Sequence, residues 1–464
     1  MNTSSQMPPP AIPLRIWKIA AVTGAGAFMA MLDSTVANLA LETIRRDFSA
    51  SLPLIQWIAT GYLVALAISL PAAAWLGKRH GYGRLWAGSL AGFVVASALC
   101  ALAPGPLTLI AARFLQGLAG GLMVPAGQAV IGAAAGPKQL GRIMGALGLV
   151  VALGPAIGPA IGGLVLGHAS WRWLFWINVP IGIAALALAR GLVPGGARDG
   201  ARPFDLKGML LLGMGLPLLL YGALEMGADG IRTRYFFSIA AGALLVASFV
   251  AVALRTRQPL IDLTLLRRPV FSAATATTGL TGANMYGGLL LIPLYLQIVA
   301  GRSTAETGFL LLAMGIGSAL TLPVGGILTD RFGAGRVSFA GGLLLLAGTL
   351  PFLLPGVLND RMLVPVLVLR GIGMALGQMP AMTAAYASVR KEEMGDATTL
   401  VNIVQRVGGA VGAAGIVILL AQMAGEAAYA AAFLALAIGA ALVLLLALLL
   451  MRFGDAEKRE ASAA

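Results

Sequence analysis

The chain has 464 residues, of which 59% are hydrophobic and only 11% are charged, and its mean hydropathy is +0.89. Soluble globular proteins carry roughly 25% charged residues, so this chain cannot cover a soluble surface. The net charge of +14 does not indicate nucleic-acid binding, because the charges form short clusters between apolar runs. The composition therefore predicts an all-α polytopic membrane protein.

Fourteen apolar runs are long enough for transmembrane helices, each of which needs about 20 residues. In chain order they lie near residues 17–41, 53–76, 84–103, 107–131, 142–167, 173–193, 206–226, 235–254, 270–299, 305–328, 336–355, 362–388, 398–421 and 428–451. The first run is too long for a signal-peptide core and no convincing cleavage site follows it. We therefore expect fourteen membrane-spanning helices, the first of which remains in the protein as an anchor.

The orientation follows from Lys and Arg, which favour cytoplasmic loops. With a cytoplasmic N-terminus, 22 of the 32 Lys and Arg residues fall on the cytoplasmic side and 7 on the other; the rest lie inside apolar runs, namely Arg113, Arg370 and Arg406. Both termini are therefore expected in the cytoplasm. A composition rich in Ala, Gly, Leu and Arg favours a bacterial inner membrane.

Two loops repeat one pattern 252 residues apart. LGKRHGYGR at 76–84 and LTDRFGAGR at 328–336 share Leu, Arg, Gly, Gly and Arg at identical spacing. The repeat predicts a six-helix bundle at 1–195, two inserted helices at 196–258 and a second six-helix bundle at 259–464. The loops are either latches that rearrange as the halves rock, or ordinary positive-inside loops; the repeated spacing favours latches.

These loops resemble the signature that the major facilitator superfamily carries between its second and third helices, Gly-x-Leu-x-Asp-Arg-x-Gly-x-x-Arg. The second copy matches it fully, at Gly326, Leu328, Asp330, Arg331, Gly333 and Arg336. The first copy has Ala74 for the first glycine and Lys78 for the aspartate. A latch built on aspartate therefore does not carry over to the first loop, where Arg79 and Arg84 need another partner.

Four further stretches extend this resemblance. Arg113, Gln116 and Gly117 resemble the superfamily's Arg-x-x-Gln-Gly signature, and GPAIGPAIGG at 154–163 resembles the antiporter signature Gly-Pro-x-x-Gly-Gly. The first run is similar to the opening signature of the fourteen-helix drug:proton antiporters, at Leu32, Asp33, Thr35, Asn38, Ala40 and Leu41. WRWLFWINVPIG at 171–182 is also typical of that family.

The resemblance implies a major facilitator fold of fourteen helices that exports amphipathic, often cationic, small molecules against a proton gradient. It implies no cofactor, a monomer in the lipid bilayer, and no nucleic-acid partner. The gating residues expected on this basis are Arg79, Gly81, Arg84, Asp330, Arg331, Gly333 and Arg336 in the loops, and Gly154, Pro155, Gly158, Pro159 and Gly162, where prolines bend a helix and glycines allow close packing.

Asp33 stands alone in an apolar stretch, FMAMLDSTVANLAL at 28–41, about 22 Å along a helix from Lys18. A charge at the bilayer centre costs about 2.5–3.5 kcal/mol on insertion scales, so such a group is paired, lines water or changes protonation. Asp33 is thus either a proton carrier or half of a constitutive salt bridge with Arg113. The two readings overlap, because Arg113 could hold the carboxylate until a proton or a substrate cation displaces it.

The second half of the repeat differs at the matching position. Asn284 follows Asp33 by 251 residues and is neutral, whereas Arg370 occupies the position equivalent to Arg113. This asymmetry predicts that protons travel mainly through the N-terminal half. Candidate substrate-binding residues, chosen from their helix positions, are Asn38, Gln116, Asn178, Glu225, Asn284, Tyr286, Gln297, Arg370, Gln378 and Arg406.

Two other functions remain open from the residues alone. The first is an exporter or flippase of a lipid-like metabolite, with the inserted helices widening a lateral entry. The second is a non-transporting membrane scaffold, which needs neither a deep titratable group nor a repeated latch. An enzyme is disfavoured, because the sequence has no nucleophile–base set, metal cluster or phosphate-binding loop.

Overall fold

The computed structural model describes residues 12–136, 139–198, 203–229, 232–353, 360–423 and 425–463, and these residues are helical almost throughout. The α-helices in these ranges are α1 Leu14–Asp47, α2 Leu52–Ser69, α3 Ala72–His80, α4 Tyr82–Ala101, α5 Pro106–Ala134, α6 Leu140–His168, α7 Trp173–Trp176, α8 Asn178–Leu192, α9 Leu206–Asp229, α10 Thr233–Ala253, α11 Pro269–Leu294, α12 Thr304–Phe332, α13 Ala334–Ala347, α14 Asp360–Ala387, α15 Met394–Gln422 and α16 Glu426–Ala463. Shorter 3-10 segments lie at Leu263–Arg267, Leu350–Leu353 and Lys391–Glu393, and a π-helical turn at Tyr295–Val299. The predicted all-α architecture is confirmed.

The number of membrane spans differs from the prediction. Within the described ranges, twelve helices are long and apolar enough to cross a membrane, and α2 with α3 makes a thirteenth candidate if this pair, bent by 55°, is one span. The bend falls at Pro71, which lacks the N–H needed to continue a helix. α6 contributes a shorter apolar stretch, Leu140–Gly154. A many-helix membrane fold is thus confirmed, whereas the count of fourteen is not.

The loop repeat extends to the packing of the helices. In the N-terminal half (α1–α8), α1 packs on α6, while α2 and α4 both pack on α5. In the C-terminal half (α11–α16), α11 packs on α15, while α12 and α13 both pack on α14. Helices at matching places in the two halves therefore make matching contacts, as expected of two parallel repeats in one membrane protein.

The two halves meet along two unlike seams. At one seam, α6 packs directly on α12. At the other, the inserted helix α9 packs on α10, on α2 and on α15. Trp57 of α2 stacks on Tyr221 of α9, with 6.1 Å between ring centroids. α9 thus lies between α2 and α15 and joins the halves at this seam, and α10 packs on α9.

A row of glycines brings α6 close to α1. A Cβ atom added at Gly154 would lie 2.7 Å from Cβ of Met31, and one at Gly158 would lie 2.7 Å from Cγ2 of Thr35. Gly162 continues the row one turn later. Small residues four apart are a common means of close helix contact in lipid. The glycines therefore pack against α1; the side chains of Pro155 and Pro159 lie outside what the structure describes, so their bend stays a prediction.

We expect Gly158→Val to destabilise the protein, because its side chain cannot fit against Thr35. Overpacking of this kind costs about 1–3 kcal/mol. Thermal unfolding, followed by the reaction of a thiol-specific dye with the chain's single buried cysteine, Cys100, measures the change. Gly163→Val is the matched control, because a Cβ there meets nothing within 4 Å. Equal losses in both variants would contradict the close packing of α6 on α1.

Candidate functional site

Asp33 is fully buried and every oxygen of its carboxylate is occupied. Oδ1 accepts hydrogen bonds from Nε2 of Gln116 at 3.0 Å and from Nδ2 of Asn178 at 2.9 Å. Oδ2 accepts from Nη1 of Arg113, with which Asp33 forms a salt bridge. Four residues singled out in the sequence, from α1, α5 and α8, therefore meet in one buried network.

Arg113 is held from several sides. Its Nε donates to the backbone oxygen of Ile58 in α2 at 3.2 Å, and its Nη1 also donates to Oε1 of Gln116 at 2.7 Å. The guanidinium lies over the ring of Tyr62, 4.3 Å from the ring centroid, a cation–π contact. Gln116 in turn donates to Oγ of Ser97 in α4 at 2.6 Å. The network thus links α1, α2, α4, α5 and α8.

This arrangement suits a carboxylate that is ionised and fully compensated. Removing one partner of a buried ion pair costs about 3–5 kcal/mol, because an unmatched charge is left behind. A proton on Asp33 would have the same consequence for Arg113 as the loss of its partner. The site therefore holds a buried ion pair in which each charge depends on the other.

The C-terminal half contains a counterpart of this network in which an amide takes the place of the acid. Arg370 donates through Nη1 to Oγ1 of Thr349 and through Nη2 to Oδ1 of Asn284 at 3.3 Å. Asn284 donates through Nδ2 to the backbone oxygen of Leu436 at 3.2 Å. Thr349 follows Ser97 by 252 residues, so a hydroxyl occupies the matching place in both networks. Arg370 has no acidic partner among the described residues.

One predicted latch residue crosses between the halves as expected. Asp330, at the end of α12, accepts hydrogen bonds from the backbone nitrogens of Gly141 at 2.9 Å and Arg142 at 3.1 Å. It also forms a salt bridge with Nε of Arg142 at 3.1 Å. Gly141 and Arg142 begin α6, so the carboxylate sits at a helix N-terminus, where negative charge is favoured.

The other loop forms the same contact with opposite charges. Lys78, at the end of α3, pairs with Asp396 in the first turn of α15. Lys78 precedes Asp330 by 252 residues and Arg142 precedes Asp396 by 254 residues, so these residues occupy matching positions in the two halves. In the first salt bridge the loop residue is basic and its helix partner acidic, whereas in the second the loop residue is acidic and its partner basic. The structure thus supplies the partner for the residue that departs from the superfamily signature.

Among the residues that the structure describes, the arginines of the first loop have their contacts outside the C-terminal half. Arg79 stacks over the ring of Trp75, 5.0 Å from its centroid. Arg84 donates to the backbone oxygens of His80 at 3.4 Å and Gly196 at 3.3 Å. These contacts hold the loop against the segment that follows α8 within the N-terminal half.

The glycines of both loops have the same backbone conformation. Gly81 has φ 91° and Gly333 has φ 87°, and each ends one helix and begins the next. This left-handed region favours glycine, which explains its place in both copies. Arg331 lies over the ring of Phe332, and Arg336 is exposed at the start of α13.

Further polar contacts join the halves near the latches. Gln128 of α5 accepts from Nδ2 of Asn402 at 2.6 Å and from the hydroxyl of Tyr386 at 3.3 Å. Thr398 donates to the backbone oxygen of Pro125 in α5 at 3.3 Å. Together with the two salt bridges, these contacts hold the halves together at this end of the molecule, which we call the latch end.

The remaining substrate-binding candidates do not join these networks. Those that are exposed on their helices are Asn38, Tyr286 and Gln297, and those that are partly buried are Glu225, Gln378 and Arg406. Tyr286 packs against Gly409 of α15.

Sequence reasoning missed three residues of the latches: Gly141, Arg142 and Asp396. A signal for them was present, because Leu140-Gly141-Arg142 and Met394-Gly395-Asp396 form a second repeat with a 254-residue displacement. The third residues of the two copies, Arg142 and Asp396, have opposite charges, and this difference hides the repeat. The repeat can be recognised only by comparison with Lys78 and Asp330, which also occupy matching positions and also have opposite charges.

Comparison with known proteins gives a consistent result. Residues 23–413 match the family model of the Major Facilitator Superfamily. The chain is 34% identical over 419 residues to the multidrug resistance protein B homolog of Mycobacterium tuberculosis, covering 89% of this chain and 77% of that protein. It is 35% identical over 425 residues to the probable actinorhodin transporter of Streptomyces coelicolor, covering 88% and 72%.

Among solved structures, the proton:xylose symporter XylE has a TM-score of 0.65 at 13% identity, covering 95% of this chain and 96% of that one. This likeness concerns the fold alone. With the family match over most of its length, the protein belongs to the Major Facilitator Superfamily of transporters and is not an enzyme.

Proposed function

We propose that this transporter exports amphipathic small molecules in exchange for protons, by alternating access between its two halves. The names of its relatives, which include a multidrug resistance protein and an antibiotic transporter, support export as the direction. The observation that carries proton coupling is the pairing of buried Asp33 with Arg113. No cofactor takes part, and the monomer is the working unit.

Protonation of Asp33 would break the electrostatic balance of its network. The neutral acid no longer attracts Arg113, whose guanidinium then needs another acceptor. Arg113 also donates a hydrogen bond to α2, and Asp33 also accepts one from α8. A change in their pairing therefore alters how α1 is held to both of these helices. The proton thus favours one arrangement of the N-terminal half over another, which is the differential interaction that coupling requires.

The latches would control access on one side. The positive-inside pattern of Lys and Arg assigns the latch end to the cytoplasmic side of an inner membrane, with both termini cytoplasmic. In this orientation the structure is closed to the cytoplasm, and opening requires both inverted salt bridges to separate. Fourteen spans are proposed, with α2–α3 and α6 each crossing once, in bundles at 1–195 and 259–464 around inserted helices at 196–258.

The charge of the cargo is a separate question. Resemblance to drug:proton antiporters favours cations, which would compete with Arg113 for Asp33. A lipid-like cargo would need a lateral entry between the halves. α9 lies between α2 and α15, so such an entry at this seam requires α9 to move.

We expect Asp33→Asn to abolish transport driven by a pH gradient while leaving ligand binding intact. Asparagine keeps the size and the acceptor oxygen of the side chain but cannot exchange a proton. Dye transport into inverted vesicles with an imposed pH gradient, together with dye binding to purified protein, separates the two effects. Glu42→Gln, which removes an exposed acid from the same helix, is the control. Gradient-driven transport by Asp33→Asn at the wild-type rate would refute the carrier role.

The inverted latch predicts a rescue by exchange of charges. Lys78→Asp and Asp396→Lys should each bring like charges together and weaken the closed state by about 1–3 kcal/mol. The double variant should restore it, because the pair is again neutral. Spin labels at introduced cysteines replacing the exposed His80 and Lys391 report the distance between the halves by pulsed electron resonance.

The expected distance distribution is narrow in the wild type and the double variant, and broadened toward longer distances in both single variants. Arg79→Asp is the matched control for an added acid in the same loop, since among the described residues Arg79 stacks on Trp75 in its own half. A double variant as open as the single variants would show that this pair does not hold the halves together.

A further inference from the structure

A cavity of about 390 Å³ lies at the latch end, beside the latch formed by Lys78. It is lined by Lys78 and by ten residues between 253 and 267, in the segment that leads from the end of α10 to the start of α11. Its volume falls within the range of about 300–1,000 Å³ that is typical of small-molecule sites. Neither the Asp33 network nor the Arg370 network contributes a residue to its walls. The cavity is therefore separate from the sites described above.

The segment that forms most of the cavity wall is fixed in place. Leu260 and Leu263 are buried in the large apolar core at this end of the molecule. The backbone N–H of Leu260 donates to Oδ2 of Asp205, just before α9, at 3.0 Å. Oδ1 of Asp262 accepts from the backbone N–H of Thr264 at 2.9 Å and caps the short 3-10 segment that follows it. These contacts give the cavity a preformed wall.

The walls of the cavity carry more positive than negative charge. Lys78, Arg257 and Arg267 line it together with one carboxylate, that of Asp262. Among the described residues, the guanidinium groups of Arg257 and Arg267 have no hydrogen-bond or ion-pair partner. Lys78 is paired with Asp396, but even with this second carboxylate the cations outnumber the acids by three to two. The positive excess favours a bound anion.

The cavity also lies where a candidate membrane span ends. α10 is long and apolar enough to cross a membrane, and its last residue, Ala253, is part of the cavity wall. The next wall residue, Leu254, is 60% exposed, and Leu266 beside Arg267 is 38% exposed. Basic pockets at the end of a membrane span are suited to lipid head groups. Exposed leucines next to these cations suit the acyl chains of the same lipid.

We propose that this cavity binds a phosphate group, carried by an anionic lipid or free in solution, through Arg257, Arg267 and Lys78. Guanidinium groups match phosphate oxygens with paired N–H donors, and such charge-assisted bonds are roughly twice as strong as neutral ones. The bound phosphate competes with Asp396 for Lys78, because the same ammonium group lines the cavity and closes the latch. Phosphate binding therefore weakens this latch, and an open latch strengthens phosphate binding. The inference does not depend on the proposed export function.

Binding is measured on the purified full-length protein with two probes. Native mass spectrometry compares bound phosphatidylglycerol with zwitterionic phosphatidylcholine, and isothermal titration calorimetry measures inorganic phosphate. Replacing both exposed arginines, Arg257→Gln with Arg267→Gln, should weaken binding on the order of tenfold or more, because two charged donors are lost. Arg255→Gln is the matched control, since it removes an exposed arginine of the same segment that does not line the cavity.

The two probes also identify the source of the phosphate. Weaker phosphatidylglycerol binding in the double variant, with wild-type binding in Arg255→Gln, supports a lipid head group, and the same pattern with inorganic phosphate supports free phosphate. The site is overturned by equal binding in the double variant and wild type, by equal losses in the double variant and the control, or by a wild-type protein that binds neither probe.

The competition for Lys78 has its own test. Asp396→Asn leaves Lys78 without its acidic partner and should bind the phosphate probe several-fold more tightly than wild type. Asp330→Asn is the matched control, because it removes the acid of the other latch without releasing Lys78. Unchanged or weaker binding by Asp396→Asn, or equal tightening in both variants, would show that the phosphate and Asp396 do not share Lys78.

Discussion

A carboxylate and a guanidinium, both withdrawn from solvent, organise the centre of the N-terminal half. Asp33 and Arg113 could not remain charged there separately, because an isolated ion in a low-dielectric interior is far too costly. Amide and hydroxyl groups from α4, α5 and α8 complete the pair, so that its charge is shared over a network rather than held by one contact. Any change in the protonation of Asp33 would therefore alter the hydrogen bonds of several helices at once.

The C-terminal half repeats the geometry of this network without its acid. Arg370 meets the amide of Asn284 at the place where Arg113 meets the carboxylate of Asp33, and the hydroxyl of Thr349 lies at the place of Ser97. The two networks thus share a scaffold and differ in one charge. A group that titrates in only one half changes that half alone, whereas its partner bundle keeps the same contacts. This difference makes the two bundles electrostatically unlike at matching positions.

Much of this arrangement could be predicted from the sequence, but only where a motif or a repeat was visible in it. The sequence offered the pairing of Asp33 with Arg113 as one of two alternatives, and its internal repeat indicated the equivalence of Arg370. The partner of Lys78 did not, because Asp396 lies 318 residues away and its sign hides the second repeat. Arg79 and Arg84 were expected to act between halves, yet backbone oxygens and a tryptophan ring within reach of the loop satisfied them instead. The split of the second predicted span at Pro71 likewise depended on how one proline was accommodated.

The two latches, whose charges are inverted, show why a change of charge in one residue of a latch requires the opposite change in its partner. Replacing only the aspartate of the first loop by Lys78 would have placed a cation against a basic residue at the start of α15, and the halves would repel at this point. With Asp396 opposite Lys78, each latch is neutral, and the contact can still form and break without leaving net charge in the interface. The two pairs are not identical, however. Asp330 also accepts two backbone N–H groups at the start of α6, an interaction with a helix N-terminus that a lysine cannot make. The latch at Asp330 therefore combines an ion pair with a helix N-terminus, and both interactions must break before α6 and α12 separate at this point.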